Sequence, residues 1–263
     1  IGKTELLEDV SSSTHPDLDL SPILHKVSAT NSKSFCTSRS NTPWDQGILS
    51  QNILKDLRPF IDNQESIEKV YDISNSDRSV GAIISGYIAK RFGEAGSKAE
   101  QTVILNGNAG QSLGAWNAKG LFIILNGDAN DYVGKGMNGG RIIIKNKYEY
   151  ASKNQPITLA GNTALYGATG GELYIAGTAG ERFAVRNSGA TAVIEGAGDH
   201  CCEYMTGGNV TVLGEVGSNF GAGMTGGFAY VLDLEKTFFD KCNRSLINRS
   251  EERRVGKECP LLC

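Results

Sequence analysis

The sequence predicts a mainly β fold, a single-stranded right-handed parallel β-helix behind a short mixed helical and loop segment. Three observations carry that prediction. Glycine supplies 33 of the 263 residues, and 26 of them fall between Gly107 and Gly227, well above the ~7% of ordinary chains. Short apolar runs also recur behind a leading residue: Gly81 before AIISG, Gln101 before TVILNG, Gly120 before LFIILNG, Gly140 before RIIIK, Gly171 before ELYIAG, Gly189 before ATAVIEG, Gly208 before NVTVLG and Gly227 before FAYVLD. The leading positions are 20, 19, 20, 31, 18, 19 and 19 residues apart. Finally, the one long step contains Asn146–Pro156, charged and free of glycine, so that removing eleven or twelve residues restores the period.

A period near 19 with one β-rich run per repeat has a physical reading. A five-residue strand is unstable alone, but stacked copies can pair with their equivalents one turn above and below. Glycines at fixed offsets allow tight corners, because they accept positive φ without a Cβ clash. The repeat is too short for a propeller blade, and the asparagine-marked pattern of leucine-rich repeats is missing.

Bulk composition narrows the function classes. Hydrophobic residues at 40% and charged residues at 21% are ordinary for a globular domain. A net charge of −3 gives no basic footprint for nucleic acid, and no apolar run is long enough to span a membrane. The six cysteines (Cys36, Cys201, Cys202, Cys242, Cys259, Cys263) show neither a disulfide framework nor a C-x-x-C pair. They read as reduced thiols of a reducing compartment, cytoplasm or plastid.

Element by element, residues 1–65 are expected to be linker and helical lead-in, with Ser/Thr/Asn-rich stretches at Ser11–Thr14 and Ser28–Ser40. One helix is expected there, capped by Asp45, carried by Ile48, Leu49, Ile53, Leu54 and Leu57, and stopped by Pro59. Ile67, Val70 and Ile73 fit strand or helix, with strand favoured by the run after Gly81. The β-helix is expected over 66–233 and a C-terminal extension over 234–248. Residues 249–263 begin RSEERRVGKEC, which resembles a translated sequencing adapter, and they are left out of the fold expectation.

Several strings are more specific than a fold. GDANDYVGKGMNGGRIIIK (127–145), GNTALYGATGGELY (161–174), GERFAVRNSGATAVIEGAGDHCCEYMTGG (180–208) and NFGAGMTGGFAYVLD (219–233) together resemble the GXGXG domain that closes the large subunit of glutamate synthases. IGKTELL, LDLSPIL and NSDRSVGAIISGYIAKRFGEAG extend the likeness upstream, from Ile1 to about Asn248. The resemblance implies an enzyme that makes two glutamates from glutamine, 2-oxoglutarate and reductant. It further implies an N-terminal cysteine nucleophile, an ammonia tunnel, and FMN and an iron–sulfur cluster elsewhere in the parent enzyme. None of those parts has a matching position here. The expectation is therefore a scaffold domain that braces the FMN and glutaminase domains and meets ferredoxin or an electron-donating subunit. It is not expected to be catalytic by itself. Two rival readings are a GXGXG subunit of another redox enzyme, such as formylmethanofuran dehydrogenase, and a free-standing β-helix binding module.

No catalytic, cofactor or metal residue is assigned from the sequence. Asp199-His200-Cys201-Cys202-Glu203 invites a metal or nucleophile, but adjacent extended residues point to opposite faces. Asp128, Asn130 and Asp131 resemble part of a calcium loop whose twelfth position is Gly139 rather than glutamate. Gly134-Lys135-Gly136 and Gly221-Ala222-Gly223 could cradle a phosphate, yet neither opens a helix. Arg182 and Arg186, the two arginines of an otherwise small and apolar segment, are expected to contact a neighbouring domain.

Overall fold

Alternating burial within each apolar run, repeated at constant spacing, coils this chain. The structure, a computed structural model, describes residues 47–146 and 157–242. Its strands are β1 (Ile67–Ile73), β2 (Gln101–Gly107), β3 (Leu121–Asn126), β4 (Asn138–Lys145), β5 (Thr158–Ala160), β6 (Gly170–Ala179), β7 (Ser188–Ala197), β8 (Thr206–Val212) and β9 (Gly226–Val231). They form one parallel sheet in the order β1-β2-β3-β4-β6-β7-β8-β9, with β5 beside β6. Because each strand, β5 aside, pairs with the next one along the chain, the result is a β-solenoid of about six turns.

The register runs through Glu68, Thr102, Phe122, Arg141, Glu172, Thr191, Asn209 and Phe228. One column along, Val103, Ile123, Ile142, Leu173, Ala192 and Val210 stack inside the coil, all buried. Two columns further, Leu105, Leu125, Ile144, Ile175, Ile194 and Val212 do the same. Each Val, Leu or Ile among them contributes roughly 1.5–3 kcal/mol by leaving water, so these two columns are the main cohesive element. A second, shorter ladder closes the corner after each strand. It joins Ala109, Ala129, Ala160, Ala179, Ala197 and Val216, small residues that let the chain turn tightly over a narrow core.

This register corrects two leading positions of the sequence pattern. Phe122 pairs with Arg141, which puts Leu121, not Gly120, level with Gly140. Glu172 pairs with Thr191, so Ala190, not Gly189, is level with Gly171. Glycine pairs at the neighbouring corners (Gly139-Gly140, Gly170-Gly171) make the two choices indistinguishable by sequence spacing alone. The backbone does distinguish them. Gly140 has φ 67°, and a Cβ there would collide with the Leu121 carbonyl.

Two helices precede the regular coils. The first, α1 (Ile48–Asn63), runs past Pro59, contrary to the expected stop. Its buried stripe Ile53, Leu57 and Ile61 has a four-residue spacing that spans the proline, and Pro59 itself is exposed. The last turn closes at Gln64 in the left-handed region, its N–H donating to the Ile61 and Phe60 carbonyls. The expected cap Asp45 lies outside the described residues, and Gly47 holds the cap position. The second, α2 (Ala82–Phe92), replaces the strand expected after Gly81. In AIISG alone strand and helix look alike. Extended to Tyr87, Ile88 and Phe92, the apolar positions follow a helical period, with Ile84 and Ile88 buried. The strand choice for Ile67–Ile73 stands, paired in parallel with β2. The insertion from residue 147 to Pro156, the linker stretches and residues 243–263 lie outside the described residues.

Candidate functional site

After the alanine corner every coil makes the same backbone excursion. Positive φ recurs at alternate residues: Ser112, Gly114, Trp116; Tyr132, Gly134, Gly136; Thr163, Leu165, Gly167; Arg182, Ala184, Arg186; His200, Cys202, Tyr204; Asn219, Gly221, Gly223. Within each set an N–H donates three residues back, as Ala115 to Ser112 and Asn117 to Gly114. Positive φ at the third residue with this bond is the signature of a type II turn, so the coils of Ser112, Tyr132, His200 and Asn219 stack two such turns in tandem, and those of Thr163 and Arg182 show the second of the two. The remaining N–H groups bond alternately to the coils above and below: Trp116 to Lys135, Gly134 to Leu113, Gly136 to Tyr166 and Cys202 to Phe183. The glycine-rich motif is therefore a hydrogen-bonded ladder of turns.

That geometry decides the candidate clusters. Gly134, Lys135 and Gly136 all spend their N–H groups on carbonyls, as do Gly221 and Ala222, which leaves no cradle there for a phosphate. Asp131 accepts the Asn162 N–H at 2.8 Å, so the calcium-like segment ties one coil to the next. Asn162 repeats the device toward Glu181 at 2.8 Å, and Asp199 toward Ser218 at 2.7 Å. His200 Nδ1 is 3.6 Å from Glu203 Oε1, too long for a hydrogen bond.

Cys201 and Cys202 do not point to opposite faces. Cys202 sits at φ 59° in a turn, which folds both thiols into the core with their sulfurs 3.7 Å apart. The contact with Cys202, reinforced by burial, pushes the Cys201 thiol well above its ordinary range, opposite to what a nucleophile or metal ligand needs. Among the described residues no group of three or more His, Cys, Asp or Glu is placed to hold a metal.

Arg182 and Arg186 are both exposed on the turn face. Arg182 pairs with Glu181 at 3.2 Å. Arg186 has no side-chain hydrogen bond or ion pair among the described residues. Sequence reading missed two of its companions. Trp116 and Tyr204 occupy the same place in their coils as Arg186, and are 61% and 54% exposed. Their alignment with Gly136, Gly167 and Gly223 in the repeat was the signal available. The outer sheet face differs in character. There the Arg141 Nε donates to Glu172 Oε2 at 2.6 Å, which raises the Arg141 pKa, and the guanidinium lies 5.2 Å over the Phe122 ring.

A family model described as "GXGXG motif" matches residues 50–258. The chain belongs to the GXGXG family. Over 94% of its length it is 45% identical to ferredoxin-dependent glutamate synthase 2 of Arabidopsis thaliana, covering 15% of that protein. It is 47% identical to ferredoxin-dependent glutamate synthase 2 of Synechocystis, covering 16%, and 45% identical to the glutamate synthase [NADPH] large chain of Bacillus subtilis, also covering 16%. This GXGXG chain thus spans about one sixth of the relatives it matches, and is homologous to their GXGXG region. Its described residues do not fit the iron–sulfur cluster expected of the parent enzyme. They supply three cysteines, Cys201, Cys202 and Cys242, two of them sealed in the core against each other, whereas a cluster is held by thiolates that converge on it.

Proposed function

We propose that this chain serves as the scaffold region of a glutamate synthase, which converts glutamine, 2-oxoglutarate and reductant into two glutamates. In this reading the solenoid carries none of the chemistry and braces the FMN and glutaminase domains of the same polypeptide. The observation that carries the reading is the identity of 45–47% over nearly the whole chain to segments of ferredoxin- and NADPH-named synthases. The structure supports it physically. A stack of coils locked by two ladders and a ladder of turns is a rigid rod, and rigid elements hold reacting domains in register. Arg182 and Arg186, with the exposed face around them, are the proposed interdomain contacts. The electron donor is ferredoxin or a nicotinamide-linked subunit, and relatives of both kinds match equally well. The compartment is proposed to be a reducing one, cytoplasm or plastid.

The experiment is an assay of the purified chain with glutamine, 2-oxoglutarate and reduced ferredoxin or NADPH, beside a full-length relative. The chain alone should form no glutamate. Measurable turnover by the chain would overturn the scaffold reading.

A further inference from the structure

One column of the turn ladder reads Trp116, Gly136, Gly167, Arg186, Tyr204, Gly223 from coil to coil, every member at φ between 54° and 67°. Three coils place glycine there, the residue this conformation favours. The other three carry large side chains in a conformation that penalises any Cβ. Where Leu165 and Cys202 bear the same penalty one turn earlier, their side chains are buried in the core. Trp116, Arg186 and Tyr204 have no such compensation. They are exposed, and none hydrogen-bonds through its side chain among the described residues. The Trp116 ring lies against Gly136 and the Tyr204 ring against Gly223, close enough that a Cβ at either glycine would meet the ring. Between Trp116 and Arg186 lies Gly167, where a Cβ would meet nothing within 4 Å. The column therefore forms a shallow notch with an aromatic wall at one end and an unpaired guanidinium at the other. Trp116 to Tyr204 spans four coil steps, roughly 19 Å at the usual strand spacing.

Backbone strain that the fold does not use marks a surface used for something else, and Trp, Tyr and Arg are the residues that dominate protein contacts. We infer that this column is the docking surface for another domain of the same longer polypeptide. That domain places a carboxylate on Arg186, across the Gly167 notch, and packs apolar groups on the rings of Trp116 and Tyr204. The inference rests on the scaffold reading. It names this occupant because the matching relatives are about six times longer than the chain, and because an unpaired planar guanidinium is the natural partner of a carboxylate.

The test is hydroxyl-radical footprinting of the full-length polypeptide, read by mass spectrometry at Trp116 and Tyr204 and, on the outer sheet face, at Phe122 and Tyr174. Oxidation at Trp116 and Tyr204 should be several-fold slower than their exposure in the solenoid predicts, and Arg186→Gly should restore it. Arg186→Lys, which keeps the charge and loses the fork, should restore it in part. Full reactivity at Trp116 and Tyr204 with protection at Phe122 or Tyr174 would overturn this surface and leave the scaffold reading intact. Full reactivity at all four would overturn both. If Arg186→Gly lowers the melting temperature and leaves protection unchanged, Arg186 serves the fold and the inference fails. A variant that melts at or above the parent, with protection lost, is the expected outcome.

Discussion

At the scale of single residues, the turn ladder separates two reasons for glycine that a sequence cannot tell apart. Gly167 has positive φ and open space around it, whereas Gly140 has positive φ and a carbonyl where its Cβ would go. Gly167→Ala should therefore cost only the conformational penalty, about 1–2 kcal/mol. Gly140→Ala adds a backbone collision and should cost clearly more, a contrast that urea melts of the two variants would reveal. Cys201 offers a second check. Its raised pKa means that the folded state favours the protonated thiol. Its contribution to stability is thus whole below the ordinary value of 9.0 and declines as pH climbs beyond it. Tyr174 and Tyr71, both raised chiefly by burial from 10.0, act in the same direction at slightly higher pH. Stability should fall from about pH 9 upward, and Cys201→Ala should flatten the first part of that decline. In the native protein Cys242, half-buried, should react with iodoacetamide well before Cys201 or Cys202. Prior labelling of the buried pair would refute that order.

At the scale of elements, what the sequence showed depended on how much of each element the pattern covered. Strands β2 to β4 and β6 to β9 were legible because alternation of burial with apolar identity is direct, as in Val103, Leu105, Ile123 and Leu125. The helix α2 was hidden because its first five residues fit either period and the run was read too short. The end of α1 was misplaced for a different reason. Proline was weighed as a local stop, while Ile61, fully buried, pulls the last turn of the helix onto the core. Tertiary burial outweighed the local penalty, as it does when an apolar stripe continues beyond the breaker. Pro59 is exposed and so contributes little packing to offset the ladder bond it removes. Pro59→Ala should accordingly stabilise the protein, by up to about 3 kcal/mol. An unchanged or lower denaturation midpoint would mean that the proline shapes the helix in a way the burial pattern does not capture. For the turn face the failure was one of kind. Glycine frequency pointed to corners, but nothing in composition distinguishes a corner from tandem turns that spend the N–H groups of Gly134, Lys135 and Gly136 on carbonyls, and hence a phosphate cradle from a ladder rung.

For the molecule as a whole, the repeat length survived where the individual leading residues did not. Two leading positions were off by one, yet from Thr102 onward the spacing of equivalent residues remains 18 to 20 apart from the step of 31 between Arg141 and Glu172. A solenoid tolerates such a step because each coil is held by its neighbours, so residues can be added at a corner without disturbing either ladder. The structure shows where the addition enters. In the coil before it, Asn126 reaches the alanine corner at Ala129 in three residues, while Lys145 reaches the equivalent Ala160 in fifteen. Deleting the twelve residues 146–157 would join Lys145 to Thr158 and give this coil the corner length of its neighbours. It removes the bond from the Thr178 N–H to the Ile157 carbonyl. It keeps the Ala129 N–H on the Leu159 carbonyl and the pairing of Ala160 with both Ala129 and Ala179. Closing a shorter loop also recovers a little entropy, of order 1 kcal/mol, comparable to the loss of the Ile157 bond. The shortened protein should therefore fold to the same solenoid with a melting temperature near that of the parent. Collapse of the fold would show that the coils are not independent, and that the inserted residues, not the ladders, join the halves of the solenoid on either side.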